Sequence, residues 1–172
     1  MTAKTVYQNP WFEVVQDGRW HYIYEPNAQQ GAVIIARQAQ EFILVRVSRH
    51  AQQSLQLEFP RGYGEANETA VQAAVRELCE ETGFTVAANT LVALGEVRPN
   101  TAILASRLPV FYVDIPPNQA PEQHDEEAVE VVRLTGEQLD QQIAEGVISC
   151  GITLAALQIF YVKQRTDFSA NG

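Results

Sequence analysis

Four glutamates and one arginine sit at fixed intervals in a single stretch of this 172-residue chain. Residues 62–84 read GYGEANETAVQAAVRELCEETGF, with Glu68 near the start and Arg76, Glu77, Glu80 and Glu81 crowded near the end. Residues 69–82 contain neither proline nor glycine, and Ala, Leu, Glu, Gln and Arg dominate, so the segment is expected to be a helix. Asn67 is the expected N-cap and Gly83 the expected stop. Glu68 is expected in the first turn, where the helix dipole favours a carboxylate. At ~100° per residue, Val71, Ala74, Val75 and Leu78 share one face, while Glu77, Glu80 and Glu81 share another. Carboxylates so placed repel one another, although Arg76 can reach Glu80 at i+4. A hard divalent cation among them removes the repulsion. Mg²⁺ takes octahedral oxygen ligands, commonly one or two carboxylates plus phosphate oxygens and water. For an isolated acidic string, a solvated helix face with ordinary ion pairs is the simpler account. The full spacing has to decide.

That spacing runs G, five residues, E, seven residues, then R-E-U-x-E-E-x-G-U, where U is aliphatic or aromatic. Leu78 and Phe84 fill the two U places, and all nine defined positions agree. The stretch therefore resembles the signature of the Nudix hydrolases, and the resemblance covers roughly residues 31–163. It implies an α+β fold, the Nudix-type α/β/α sandwich around a mixed β-sheet. It also implies hydrolysis, assisted by Mg²⁺ or Mn²⁺, of a nucleoside diphosphate linked to another moiety, through water attack on phosphorus. The implied metal ligands are Glu77 and Glu81, with Glu80 as a further ligand or as the base. Glu68 is implied as a supporting ligand through water, and Arg61 as a ligand through its carbonyl, which Gly62 allows to approach. Arg76 is implied to orient the carboxylates.

Outlying residues bear on the substrate. Pro99, fifteen residues beyond Phe84, and the LEFPRG run ending at Gly62 resemble the ADP-ribose pyrophosphatase branch of the family. That resemblance implies that Arg49, Glu58, Arg61 and Pro99 face the substrate. It further implies a catalytic glutamate from the acidic loop before a late strand, at Glu127 or its neighbour Glu126. Two positions depart from the branch: Arg61 stands where alanine is common, and Asn100-Thr101 follow Pro99 where a glycine is common. The expected reaction converts ADP-ribose or a related ADP-sugar to AMP and a sugar phosphate. Dinucleoside polyphosphate hydrolysis is the nearest alternative. A non-catalytic module that senses a nucleotide is another, although four intact motif glutamates favour an enzyme.

The flanking sequence supplies the scaffold. Residues 11–25 read as a hairpin around Asp17-Gly18, with Trp11 and Trp20 expected in a core or an interface. Further strands are expected over residues 31–36, 41–47, 55–59, 91–97, 108–115 and 129–134. Thr135, with Gln138 three residues on, caps a helix ending near Gly146. A last helix spans residues 152–163, and residues 165–172 read as a frayed tail. Strand clusters separated by few helices point to α+β. Residues 1–30 are read as an N-terminal β-hairpin segment for dimerisation or substrate contact, and residues 31–165 as the Nudix hydrolase domain.

Hydrophobic content of 46% and charged content of 19% are globular values. The net charge of −9 argues against a nucleic-acid backbone as the main partner. It is compatible with a small phosphorylated substrate whose charge a bound metal screens. Cys79 and Cys150 form no CxxC pair and read as free thiols. No apolar run has the length of a signal peptide core or a membrane span. The expectation is a cytoplasmic protein with no membrane partner, and the resemblance adds a homodimer.

Overall fold

The computed structural model describes residues 3–123 and 128–169, and its strands form two sheets. The first is antiparallel, in the order β1 (Lys4–Gln8), β2 (Glu13–Asp17) and β3 (Trp20–Tyr24). The hairpin expected around Asp17-Gly18 is present, turning through Gly18 at φ +58°. Strand β1 was not expected. Every one of its residues is exposed, so no buried alternation marks it in the sequence. Trp11 and Trp20, expected in a core or an interface, are 68% and 66% exposed, which removes the core and leaves the interface.

The second sheet contains β4 (Ala32–Gln38), β5 (Glu41–Arg49), β6 (Ser54–Glu58), β7 (Arg61–Gly62), β8 (Val92–Val97), β9 (Leu108–Ile115) and β10 (Ala128–Leu134). Its order is β10-β5-β4-β9-β8, with β6 paired to β5 and β7 paired to β4. The β4–β9 pair is parallel and the others are antiparallel, so the sheet is mixed. Ala39 and Gln40 turn β4 into β5 with φ of +49° and +76°. Such a two-residue turn matches the twist of the strands it joins.

Helix α1 (Ala70–Thr82) covers one face, packing Ala74 and Leu78 with Phe84 against Ala32, Ile34 and Ile43. Helices α2 (Gly136–Ala144) and α3 (Gly151–Ser169) cover the other, packing Leu139, Leu157 and Phe160 against Val33, Ile35 and Leu44. Strand β4 is thus buried on both sides, which is why it reads as a continuous apolar run. The architecture is α+β, an α/β/α sandwich around a mixed sheet. Helix α3 continues to Ser169, so the segment expected to fray from residue 165 is helical as far as it is described. No helix among the described residues is long and apolar enough to cross a membrane.

The start of α1 differs from expectation. Thr69, not Asn67, is the N-cap, forming a capping box with Gln72. Asn67 sits in the preceding loop at φ +66°. Glu68 lies just before the helix, where it accepts the backbone N–H of Glu65 at 2.8 Å. The box between Thr135 and Gln138 opens α2 as the sequence predicts. At the other end of α1, Gly83 adopts φ +73° and donates its N–H to the Cys79 carbonyl at 2.8 Å. The Gly83 carbonyl accepts the N–H of Glu122 at 2.8 Å. Buried Gln38 donates to the carbonyls of Pro116 and Gln119 at 2.7 and 2.8 Å. The proline-rich loop is therefore clasped to the end of α1 and the end of β4.

A Cβ at Gly83 would lie 2.1 Å from the Glu122 carbonyl oxygen, whereas one at Gly18 would meet nothing within 4 Å. Gly18→Ala should carry only left-handed strain, about 1–3 kcal/mol. Gly83→Ala should carry the same strain plus displacement of the loop. Calorimetry should show a larger fall in melting temperature for Gly83→Ala, and equal falls would mean that the loop yields without cost.

Candidate active site

The buried face of α1 is wider than its apolar residues. Glu77 and Glu81, one turn apart, are only 7% and 3% exposed, alongside buried Ala73, Ala74 and Leu78. Only Glu80 of the three clustered glutamates turns outward, with a side chain 45% exposed. Strand β7 and its loop press on this face. The Arg61 backbone N–H donates to Glu81 Oε2 at 3.0 Å, and a Cβ on Gly62 would sit 2.1 Å from the Glu77 carboxyl. Gly62 therefore provides space: any side chain there collides with a buried carboxylate.

Burial pushes the Glu81 carboxyl up to about 8, with the neighbouring charge of Glu77 adding to the shift and the Arg61 N–H opposing it. Arg76 gathers the rest of the cluster. Its Nε and Nη2 donate to the two oxygens of Glu68 at 3.0 and 2.9 Å. Its Nη1 donates to Glu77 at 2.7 Å and to Glu80 at 2.8 Å, and Nη2 also reaches the Tyr63 carbonyl at 2.8 Å. The Glu68 bond is the main reason that Arg76 holds its proton more tightly than a free guanidinium, and Glu68 is correspondingly more acidic. One arginine thus contacts three of the four motif glutamates.

A positive pole faces this acidic one. Glu58 is 2% exposed and accepts from Arg49 Nε and Nη2 at 3.1 and 2.9 Å. Arg61 Nε and Nη2 approach Glu58 Oε2 at 2.9 and 2.8 Å. Burial alone would raise the Glu58 carboxyl, but the two guanidinium groups more than offset it and hold it below its usual range. Glu58 thus lies beneath the arginines, with both oxygens engaged by them.

Arg61 borders three adjoining hollows. The largest, about 620 Å³, also meets Trp11, Arg49, Tyr63, Glu77 and Glu80. A second, about 470 Å³, is walled by Arg49, Glu58, Pro99, Cys150 and Ile152. The third, about 180 Å³, is bounded by Glu25, Tyr63, Pro99 and Leu104. The structure therefore gathers Glu68, Arg76, Glu77, Glu80 and Glu81 at one pole, and Arg49, Glu58, Arg61 and Pro99 beside it. Glu126 and Glu127 lie outside the described residues. Trp11, Glu25 and Tyr63 join the site without having been singled out for it. Tyr63 lies inside the motif at a freely variable place, and Glu25 is brought in from the end of β3 by tertiary contacts.

The donor set suits a hard divalent cation. Among the described residues, no three His, Cys, Asp or Glu side chains converge as a ready-made cage. Mg²⁺ needs only one or two carboxylates when phosphate and water complete its shell. Glu77 and Glu81 offer such a pair; burial is the main reason that Glu81 holds its proton, and the Glu77 charge adds a smaller part that a cation between them would relieve. Glu80 and the backbone of Arg61 stand next to them.

The sign of the resulting pH dependence follows from that shift. Glu81 binds its proton more tightly folded, at about 8, than at its ordinary 4.5. The associated stability is fully present below about 4.5 and is lost as pH rises through about 8. In EDTA, the melting temperature of the native chain should fall relative to Glu81→Gln as pH rises across that window. Mg²⁺ or Mn²⁺ should restore the native chain selectively. A difference that is flat in pH and blind to cations would contradict a buried, charge-strained Glu81.

Similarity to known proteins agrees with this geometry. Residues 27–148 match the family model for the NUDIX domain. A crystal structure of an ADP compounds hydrolase superposes with a TM-score of 0.75 at 20% identity, over 97% of this chain and 94% of that one. Comparison with curated protein sequences gives no match. With the matched region spanning most of the sequence, and with Glu77 and Glu81 on one buried helix face beside an arginine pair, the chain belongs to the Nudix family of pyrophosphohydrolases.

Proposed function

We propose that this enzyme hydrolyses the pyrophosphate bond of a nucleoside diphosphate linked to a sugar, with ADP-ribose or a related ADP-sugar as substrate and AMP and a sugar phosphate as products. The observation that carries the reading is the pair of opposed charge poles along one cleft, the Glu77 and Glu80 carboxylates, with Glu81 buried behind them, and the Arg49 and Arg61 guanidiniums. A pyrophosphate has two charged centres at a similar separation of roles, one to be met by cations and one by arginine. The structural likeness to an ADP compounds hydrolase supports the adenosine diphosphate part of the reading.

In this proposal Glu77 and Glu81 hold Mg²⁺ or Mn²⁺, with Glu80, the Arg61 carbonyl and, through water, Glu68 in support. The cation supplies charge neutralisation at the pyrophosphate and activation of the attacking water. Arg76 fixes the rotamers of Glu68, Glu77 and Glu80 through five hydrogen bonds, counting that to the Tyr63 carbonyl. Arg49 and Arg61 bind the phosphate away from the cation as planar, permanently charged donors. Glu58 keeps both guanidiniums from turning into solvent. Glu80 is exposed at the cleft and tethered to Arg76, which suits a base, and Glu126 or Glu127 is the alternative source of one. Pro99 borders two of the three hollows and shapes the sugar end.

The exposed Val6, Tyr7, Trp11 and Trp20 of residues 1–30 suit self-association of this N-terminal segment, appended to the catalytic unit of residues 31–165. Sedimentation should then show a dimer at micromolar concentration. A monomer would remove the dimer from the proposal and leave the chemistry untouched.

The primary test is AMP release from ADP-ribose, other nucleoside diphosphate sugars and dinucleoside polyphosphates, with Mg²⁺, Mn²⁺ or EDTA. The expected result is turnover of ADP-ribose that EDTA abolishes and that Glu81→Gln lowers by about 10²-fold or more. Preferred turnover of a dinucleoside polyphosphate would replace the substrate. Nucleotide binding without turnover of any compound would make the chain a sensor.

A further inference from the structure

Glu25 lies outside the motif, yet three segments converge on its carboxylate. It follows β3 of the N-terminal sheet, whereas Tyr63 comes from the loop before α1 and Ser106 from the segment between β8 and β9. The Tyr63 hydroxyl donates to Glu25 Oε1 at 2.5 Å, and the buried Ser106 hydroxyl donates to Oε2. Backbone bonds hold the strand in place. The Ile23 N–H donates to the Ile103 carbonyl at 2.7 Å, and the Ala105 N–H donates to the Ile23 carbonyl at 2.9 Å. The half-buried carboxylate is thereby held in one rotamer by hydroxyls from two other segments.

The carboxylate borders the smallest of the three hollows, about 180 Å³, whose other walls include Pro99, Leu104, Leu108 and Ile152. That is below the ~300–1,000 Å³ of a whole ligand site, so the hollow takes one ring of a substrate. Arg61, Gly62 and Tyr63 line both this hollow and the cleft that holds Glu77 and Glu80, so the two adjoin at the arginine pole.

We propose that the hollow receives the neutral sugar ring on the distal phosphate of the substrate, and that the Glu25 carboxylate accepts hydrogen bonds from two neighbouring hydroxyls of that ring. The inference rests on the pyrophosphohydrolase reading above. The chemistry is selective. An ionised carboxylate only accepts, and each oxygen keeps acceptor capacity beyond the bond from Tyr63 or Ser106. Two adjacent hydroxyls present two donors at a spacing that two carboxylate oxygens can meet together. The apolar walls cover the carbon face of the ring. A phosphate or carboxylate on the same ring is rejected, because it brings like charge against Glu25 in a confined space. An adenine edge is a poorer match, since its N6 amino group can donate to one carboxylate oxygen but the flanking ring nitrogens are acceptors that would face the other. Glu25 is thus a specificity residue for ADP linked to an unphosphorylated sugar.

Calorimetry in EDTA gives affinities for ADP-ribose and for the analogue in which hydrogen replaces both neighbouring hydroxyls of the distal ring. The native chain should prefer ADP-ribose by at least about ten- to a hundredfold, the size of one hydrogen bond to a charged acceptor. Glu25→Ala should erase the preference and leave the affinity for the analogue unchanged, which also shows that the variant is folded. Should Glu25→Ala fail to fold, Glu25→Gln keeps the shape and should still cut the preference. Equal loss for both ligands would make Glu25 a structural strut and overturn the proposal. So would a variant whose only change is in preference between adenine and hypoxanthine in the ADP part. Turnover is read separately: no AMP release with Mg²⁺ or Mn²⁺ defeats the hydrolase reading, while the diol preference in affinity decides the role of Glu25.

Discussion

Glu77 and Glu81 place two carboxylates one turn apart on α1, where solvent barely reaches them. Taking like charges out of water together is costly unless something compensates, and here the compensation comes from two directions. Arg76 binds Glu77 from along the helix, and the Arg61 backbone N–H binds Glu81 from β7. The remaining strain stays in the raised proton affinity of Glu81. Strand β7 must lie very close for this to work. It is two residues long, pairs with β4, and ends in a glycine whose missing side chain is the space that the Glu77 carboxyl occupies. The glycine and glutamates of the motif are therefore two halves of one packing solution.

The mixed sheet converts that local arrangement into a cleft with two signs. Strand β4 is the rigid reference, being buried on both faces and paired with β5, β7 and β9. Strand β7 carries Arg61 from one side of it, and β5 carries Arg49 to its end, where β6 returns with Glu58. A buried glutamate between two arginines leaves one net positive charge in the group, fixed in direction by short bonds to both guanidiniums. Preorganised charge of this kind needs little rearrangement when a polyanion arrives. The far end of α1 is secured separately, by Gly83 against Glu122 and by Gln38 against the loop of residues 116–123.

Most elements whose determinants were local read correctly. The helix, its Gly83 stop, the β4–β5 turn and the capping box at Thr135 all follow from neighbours within a few residues. The misplaced cap of α1 belongs to the same class. Thr69 and Gln72 form the same box pattern as Thr135 and Gln138, and that pattern outweighs an isolated asparagine two residues earlier. The burial of Glu77 and Glu81 was not legible, for a different reason. Helical phase puts Glu77 and Glu81 beside Ala74 and Leu78, but only the close approach of β7 makes that phase a buried one. Trp11 and Trp20 show the limit of hydrophobicity as a guide, since large apolar groups are also found at surfaces. Glu25 carried no readable signal, because its partners lie 38 and 81 residues away.

Arg61 is where the two kinds of information meet. The sequence marked it as a departure from a position where alanine is common in the branch that this chain resembles. In the structure its side chain touches Glu58 and borders all three hollows. A methyl group there would leave the hollows merged and Glu58 with one guanidinium in place of two. The arginine divides the space into an acidic compartment served by α1 and a smaller one served by Glu25 and the segment before β9. The carboxylates that suit a cation sit on a helix that the motif determines almost completely. Much of the lining of the smaller hollow, Glu25 after β3 and Pro99 and Leu104 of the β8–β9 connection, comes from segments that the motif does not constrain. Substrate choice can therefore change in this architecture through segments that leave the buried pair on α1 undisturbed.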